Sequence, residues 1–182
     1  MVNGPALPYD AWALDFFAPP KVWAWIEKAE VVDLNGNVFS GAEIGRVSTM
    51  SSSPLHLGPS FLFKPNGYPE HAMGSERRFD DASLPRLIYV RWKSLAEVQT
   101  YEAVIEISEL ARAIMLKSEE AYCRRVGKRK MDYRNILTIG LEPDGIATVY
   151  LEGSCLQATQ IMQVQATIQP KVPYRGASNR SE

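Results

Sequence analysis

A chain of 182 residues, 46% of them hydrophobic, fits one domain and carries too much apolar surface to stay disordered. Its 20 basic and 21 acidic side chains leave a net charge of -1, which excludes a global field that would hold it on nucleic acid or acidic lipid. No run reaches the roughly 20 apolar residues of a membrane-spanning helix, and a chain this long buries roughly two-thirds of its unfolded surface, so a core forms without staples.

Met1 to Asp10 lacks the charged and apolar regions of a signal peptide and reads as a mature start, with residues 1–6 expected as a flexible tail. Ala11 to Ala18, ended by Pro19-Pro20, is a first strand, and Val22 to Leu34 a second, with Trp23 and Trp25 on one face and Val31 and Asp33 later on it. Asn35-Gly36 between apolar segments marks a tight hairpin, because both central positions of its turn need positive φ. The return strand is expected over Asn37 to Val47. Residues 48–83 then form one irregular excursion. Ser51-Ser52-Ser53, Pro54, Pro59, Pro65 and Pro69 forbid a long regular element, while Phe61, Phe63, Tyr68 and Phe79 argue that it packs on the domain.

Arg86 to Trp92 and Gln99 to Ile107 both alternate and read as half-buried strands joined by a hairpin loop. Ser108 is an N-cap for a helix over about 109–123, with Leu110, Ile114 and Tyr122, and with Ala111 and Met115, supplying its apolar stripe. Arg124 to Lys130 is a basic connector, suited to an acidic partner or phosphate, or simply solvated beside the negative helix end. Tyr133 to Leu141 and Ile146 to Leu151 pair across the turn Pro143-Asp144-Gly145, and Gln163 to Ile168 is a last strand before a flexible tail over 170–182. The expected fold is mainly β (α+β), an antiparallel sandwich or curled sheet of about seven or eight strands with one packed helix, in a single domain over 7–169.

Reactive constellations are sparse. His56 and His71, with Glu70 and Asp80 or Asp81 near, lack any spacing that favours a metal over surface histidines. Ser60 lies near His56, but no nucleophile elbow appears, and Asp80-Asp81 and Glu119-Glu120 are not an opposed carboxylate pair. The sequence has no glycine-rich phosphate loop, so neither catalytic residues nor a cofactor are expected. The four tryptophans are read as core, with a sugar-stacking platform as the rival. Cys123 and Cys155 are either a disulfide or two buried thiols.

Leu7-Pro8-Tyr9-Asp10-Ala11-Trp12, Ala18-Pro19 and Val32-Asp33-Leu34-Asn35-Gly36 resemble the opening of a family of proteobacterial envelope lipoproteins. Leu84 to Tyr101 carries the most specific likeness, continued in Tyr133-Arg134-Asn135 and Gly153-Ser154-Cys155-Leu156. Members of that family carry a lipidated leader and are often encoded beside type VI secretion effectors, including lipase-type ones. The resemblance implies a periplasmic, lipid-anchored immunity protein, monomer or small oligomer, that binds a secreted effector and not nucleic acid. It also implies a Cys123–Cys155 disulfide, since such bonds persist in the periplasm. Within the excursion, Phe61, Phe63, Tyr68, His71, Arg77 and Arg78 are the expected contacts, because aromatic and arginine side chains dominate interface energies. The alternatives are a module binding envelope glycan or lipid through surface tryptophans, and a hydrolase built around His56 and Ser60.

Overall fold

The computed structural model describes residues 4–19, 22–42, 45–47 and 77–170. Thirteen strands and one helix are found among them, a sandwich-like, mainly β arrangement. The strands are β1 (Trp12–Phe17), β2 (Ala24–Asp33), β3 (Val38–Ser40), β4 (Gly45–Val47), β5 (Arg77–Phe79), β6 (Pro85–Ser94) and β7 (Gln99–Glu106), followed by helix α1 (Glu109–Leu116). After it come β8 (Ser118–Cys123), β9 (Lys128–Tyr133), β10 (Ile136–Glu142), β11 (Ile146–Glu152), β12 (Thr159–Gln165) and β13 (Thr167–Gln169). No described helix is long and apolar enough to cross a membrane.

One sheet has the order β12-β11-β10-β1-β5, the other β13-β7-β6-β2-β3 with β4 also on β2, and β8 and β9 form a separate two-stranded ribbon. The pairings are antiparallel except β1 on β10, which run parallel with Leu14 beside Leu137 and Phe16 beside Ile139. Every residue of β1 is buried, as befits a strand covered on both faces. The core lies between the two large sheets, where Trp12, Leu14, Phe16, Leu137, Ile139 and Val149 meet Ile26, Val31, Ile88, Trp92 and Ile105. Trp12 stacks on Phe79 at 4.2 Å and donates its indole N–H to the Ser83 carbonyl, so this large ring enters the core without an orphaned donor.

The two sheets are also tied at their edges. On one side β12 runs through Ala166 into β13, carrying the chain from one sheet to the other. On the other side Arg77, in β5, donates to the carbonyls of Ser40 and Gly41 beside β3, and Phe39 meets Phe79 edge to face at 5.5 Å.

Several expectations need correction. Unbroken alternation puts Trp23, Trp25, Val31 and Asp33 on one face of β2, but Ile26 pairs with Trp92 and Lys28 with Arg91, leaving Glu27 as an extra residue. That bulge shifts the alternation, so Ala24 and Ile26 are buried before it and Ala29, Val31 and Asp33 after it, with Trp23 and Trp25 on the opposite, exposed side. The helix ends at Leu116, with extended Lys117 as its C-cap, and the sequence up to Cys123 is strand β8. Pairing with β9 and the bond to Cys155 override a helical propensity that eight residues alone cannot sustain. Arg124 to Lys130 is therefore a hairpin turn and the start of β9, not a connector after a helix. Tyr133 and Leu141 lie on different strands, and the return from Asn35-Gly36 holds β3 and β4, each paired with β2. Of the irregular excursion, 48–76 lies outside the described residues, as do 1–3 and 171–182 of the tails.

Candidate binding surface

Of the six expected contacts, Phe61, Phe63, Tyr68 and His71 lie outside the described residues, as does His56. Arg77 and Arg78 are strand residues of β5, not loop residues, and alternation sends them to opposite faces. Arg77 is engaged in the edge tie, and its guanidinium lies 5.2 Å from the Phe79 ring centre. Arg78 points outward and pairs with Asp80 at 2.8 Å. The two arginines thus point to different faces, the first engaged at the sheet edge and the second turned outward. Cys123 and Cys155 are joined by a disulfide with Cα atoms 4.9 Å apart.

The largest exposed aromatics sit elsewhere. Trp23 is 41% and Trp25 46% exposed, whereas Trp12 and Trp92 are buried. Ala24 and Ile26 turn inward, so extended geometry turns the tryptophans between them outward. β4 pairs with β2 so that Arg46 lies opposite Trp25, and the Arg46 guanidinium stacks 3.7 Å over the Trp23 ring. Lys93 flanks Trp25 on its other side. The stacked cation stabilises the exposed ring by about 0.5–1 kcal/mol and fixes its orientation. Farther along the same face Arg91 bridges Glu27 at 2.9 Å and Glu102 at 4.0 Å. The result is an exposed sheet face with an aromatic–cationic end and a charge-paired centre. The expectation that all four tryptophans are core holds for Trp12 and Trp92 and fails for Trp23 and Trp25, whose bracketing of a small residue in an alternating strand carries the signal for an outward pair.

A polar cluster on the outer face of the five-stranded sheet escaped sequence reading. Asp15, Thr138, Thr148 and Glu152 are buried there, and Thr138 Oγ1 donates to Glu152 Oε1 at 2.9 Å. Burial, and then the nearby Asp15 charge, push the Glu152 carboxyl up to about 9. It keeps its proton at neutral pH but is shut away from solvent, which suits a polar layer of the fold. At the hairpin after β2, burial alone would raise the Asp33 carboxyl, but hydrogen bonds from Asn37, Ser83 and Asn35 outweigh it and hold it low. No group of three histidine, cysteine or acidic side chains among the described residues stands together as a metal site.

Comparison with curated proteins and with solved structures returns no match. A model of the family described as protein of unknown function (DUF2931) matches residues 2–178, nearly the whole chain, and the protein belongs to that family.

Proposed function

We propose that the protein works by contact, as a periplasmic immunity protein that binds and neutralises a type VI secretion effector, a phospholipase being one such toxin. The observation that carries a contact role is the Trp23–Arg46–Trp25 surface, since tryptophan and arginine on a rigid scaffold are the side chains that dominate interface energies. The disulfide supports an oxidising compartment, where such bonds persist. The resemblance to envelope lipoproteins encoded beside effectors supplies the partner class and the lipid anchor of the precursor. The 48–83 excursion, with Phe61, Phe63, Tyr68, His71, Arg77 and Arg78, remains part of the proposed contact surface.

Expressing the protein in the periplasm together with the toxic product of a neighbouring gene tests the reading. Protection and co-elution are expected, both reduced in a folded Trp23→Ala/Trp25→Ala variant. Cells that die at the control rate, with no co-elution, would overturn the immunity role.

The exposed pair also favours a second reading, a module that stacks envelope glycan on Trp23 and Trp25. Titration with soluble peptidoglycan fragments should then change tryptophan emission saturably, and Trp25→Ala should abolish the change. A flat titration dismisses this alternative.

A further inference from the structure

Charge is strongly segregated along this chain. Residues 117–134 carry seven basic and three acidic side chains, a net +4 on a chain totalling -1, which leaves the remainder at -5. Within it the β8–β9 ribbon and its turn, residues 118–133, carry five basic and three acidic side chains, a net +2. Arg124, Arg125, Lys128, Arg129 and Lys130 are all exposed, and among the described residues only Arg129 of these five has an ion pair, with Glu120 at 3.2 Å. Val126 at the turn is 52% exposed, with Tyr122 at 56% and Met131 at 58% on the strands behind it.

The ribbon is held firmly while it presents these groups. Cys123, the last residue of β8, is bonded to Cys155. The Asp132 carboxylate accepts from the Cys155 backbone N–H at 2.8 Å. Gly153 lies so close to the end of β9 that a Cβ there would fall 2.3 Å from the Tyr133 carbonyl oxygen. The turn closes with the Gly127 N–H on the Cys123 carbonyl at 2.8 Å and Gly127 at φ +67.

Register decides what such a tip can recognise. Cys123 opposes Lys128 and Ala121 opposes Lys130 on one face, while Tyr122 opposes Arg129 and Glu120 opposes Met131 on the other. The cations thus fan out from both faces and from the turn, and do not converge on one carboxylate or one phosphate. A convex fan of this kind matches a plane of many anionic groups. The apolar apex and the tyrosine and methionine behind it suit the boundary between headgroups and acyl chains.

We propose that the β8–β9 ribbon docks the protein peripherally on an anionic phospholipid surface, with Val126 at the interface and Arg124, Arg125, Lys128 and Lys130 among the headgroups. This goes beyond the immunity reading and uses a different surface from the tryptophan pair. A basic side chain near such a surface contributes enough for four of them to shift partitioning by orders of magnitude.

The test is co-sedimentation of the purified, oxidised chain with vesicles of phosphatidylcholine alone or containing one-third phosphatidylglycerol. Binding is expected only to the anionic vesicles and should weaken as salt rises. Lys128→Glu/Lys130→Glu should lose at least about tenfold in partitioning, and Val126→Asp should lose binding while leaving the thermal melt in place. Trp23→Ala/Trp25→Ala should bind vesicles as the parent does, so this test is independent of the effector. Equal binding to neutral vesicles, undiminished binding by the charge-reversed variant, or tighter binding to RNA or polyglutamate than to anionic vesicles at the same salt would each overturn the proposal.

Discussion

Glu152 ends β11 against Thr138 on a buried face, with Asp15 close enough to repel its charge. Its carboxyl, raised to about 9, is protonated in the folded chain across a range where the unfolded chain has already ionised. Unfolding in that range releases a proton. Stability from this residue is therefore complete below the ordinary glutamate value and drains away as pH rises toward about 9. Glu152→Gln keeps an acceptor for Thr138 and removes the ionisation. Denaturant melts at acid, neutral and alkaline pH should show the variant gaining on the parent as pH climbs. A gap that stays constant with pH would mean that this carboxyl is not the one held protonated. Asp33 has the opposite sign, since its lowered carboxyl stabilises above the unfolded value and that contribution is lost in acid.

At the scale of elements, the ribbon depends on a cross-link between residues 32 apart in sequence. The chain-entropy model assigns closure of such a loop roughly 3–4 kcal/mol. Cys123→Ser/Cys155→Ser should lower stability by that order in denaturant melts, and amides of β8 and β9 should exchange fastest among the described strands, because among the described residues no third strand pairs with them. Uniformly slower exchange in the variant would contradict this. The same ribbon shows where sequence reading stops. β6 and β7 were legible because Ile88, Val90 and Trp92 alternate with wetter neighbours and no bulge interrupts their pairing. The helix expected over 109–123 overruns β8 because nothing local stops it after Leu116, while what makes residues 118–123 a strand is a partner and a sulfur bond distant in the chain. The Glu27 bulge misled in the same way, since one inserted residue moves every later side chain of β2 to the other face. Of the candidate surface, the outward tryptophans could be read from Ala24 between them, but Arg46 over Trp23 depends on β4 folding back across β2.

At the scale of the whole molecule, the two large sheets meet along two edges of different kinds. One is covalent, where β12 passes through Ala166 into β13. The other is a side-chain tie, in which Arg77 spans from β5 to the Ser40 and Gly41 carbonyls at 3.0 and 2.8 Å while Phe39 and Phe79 close the apolar seam beneath it. A charged donor serving two carbonyls is worth about 1.5–3 kcal/mol, and partial solvation at this edge places Arg77 toward the lower end. Arg77→Ala should therefore lower stability by about 1–2 kcal/mol and speed exchange at the β3 and β5 amides, leaving β6 and β7 unchanged. Arg77→Lys should recover only part of the loss, because an ammonium lacks the fixed, planar array of guanidinium donors. If Arg77→Ala instead leaves stability and exchange untouched but impairs effector binding, Arg77 is a contact residue and the edge is held by the phenylalanines alone. Since Arg77 is the first described residue after 48–76, that outcome would also place the contact surface on this side of the sandwich rather than on the tryptophan face.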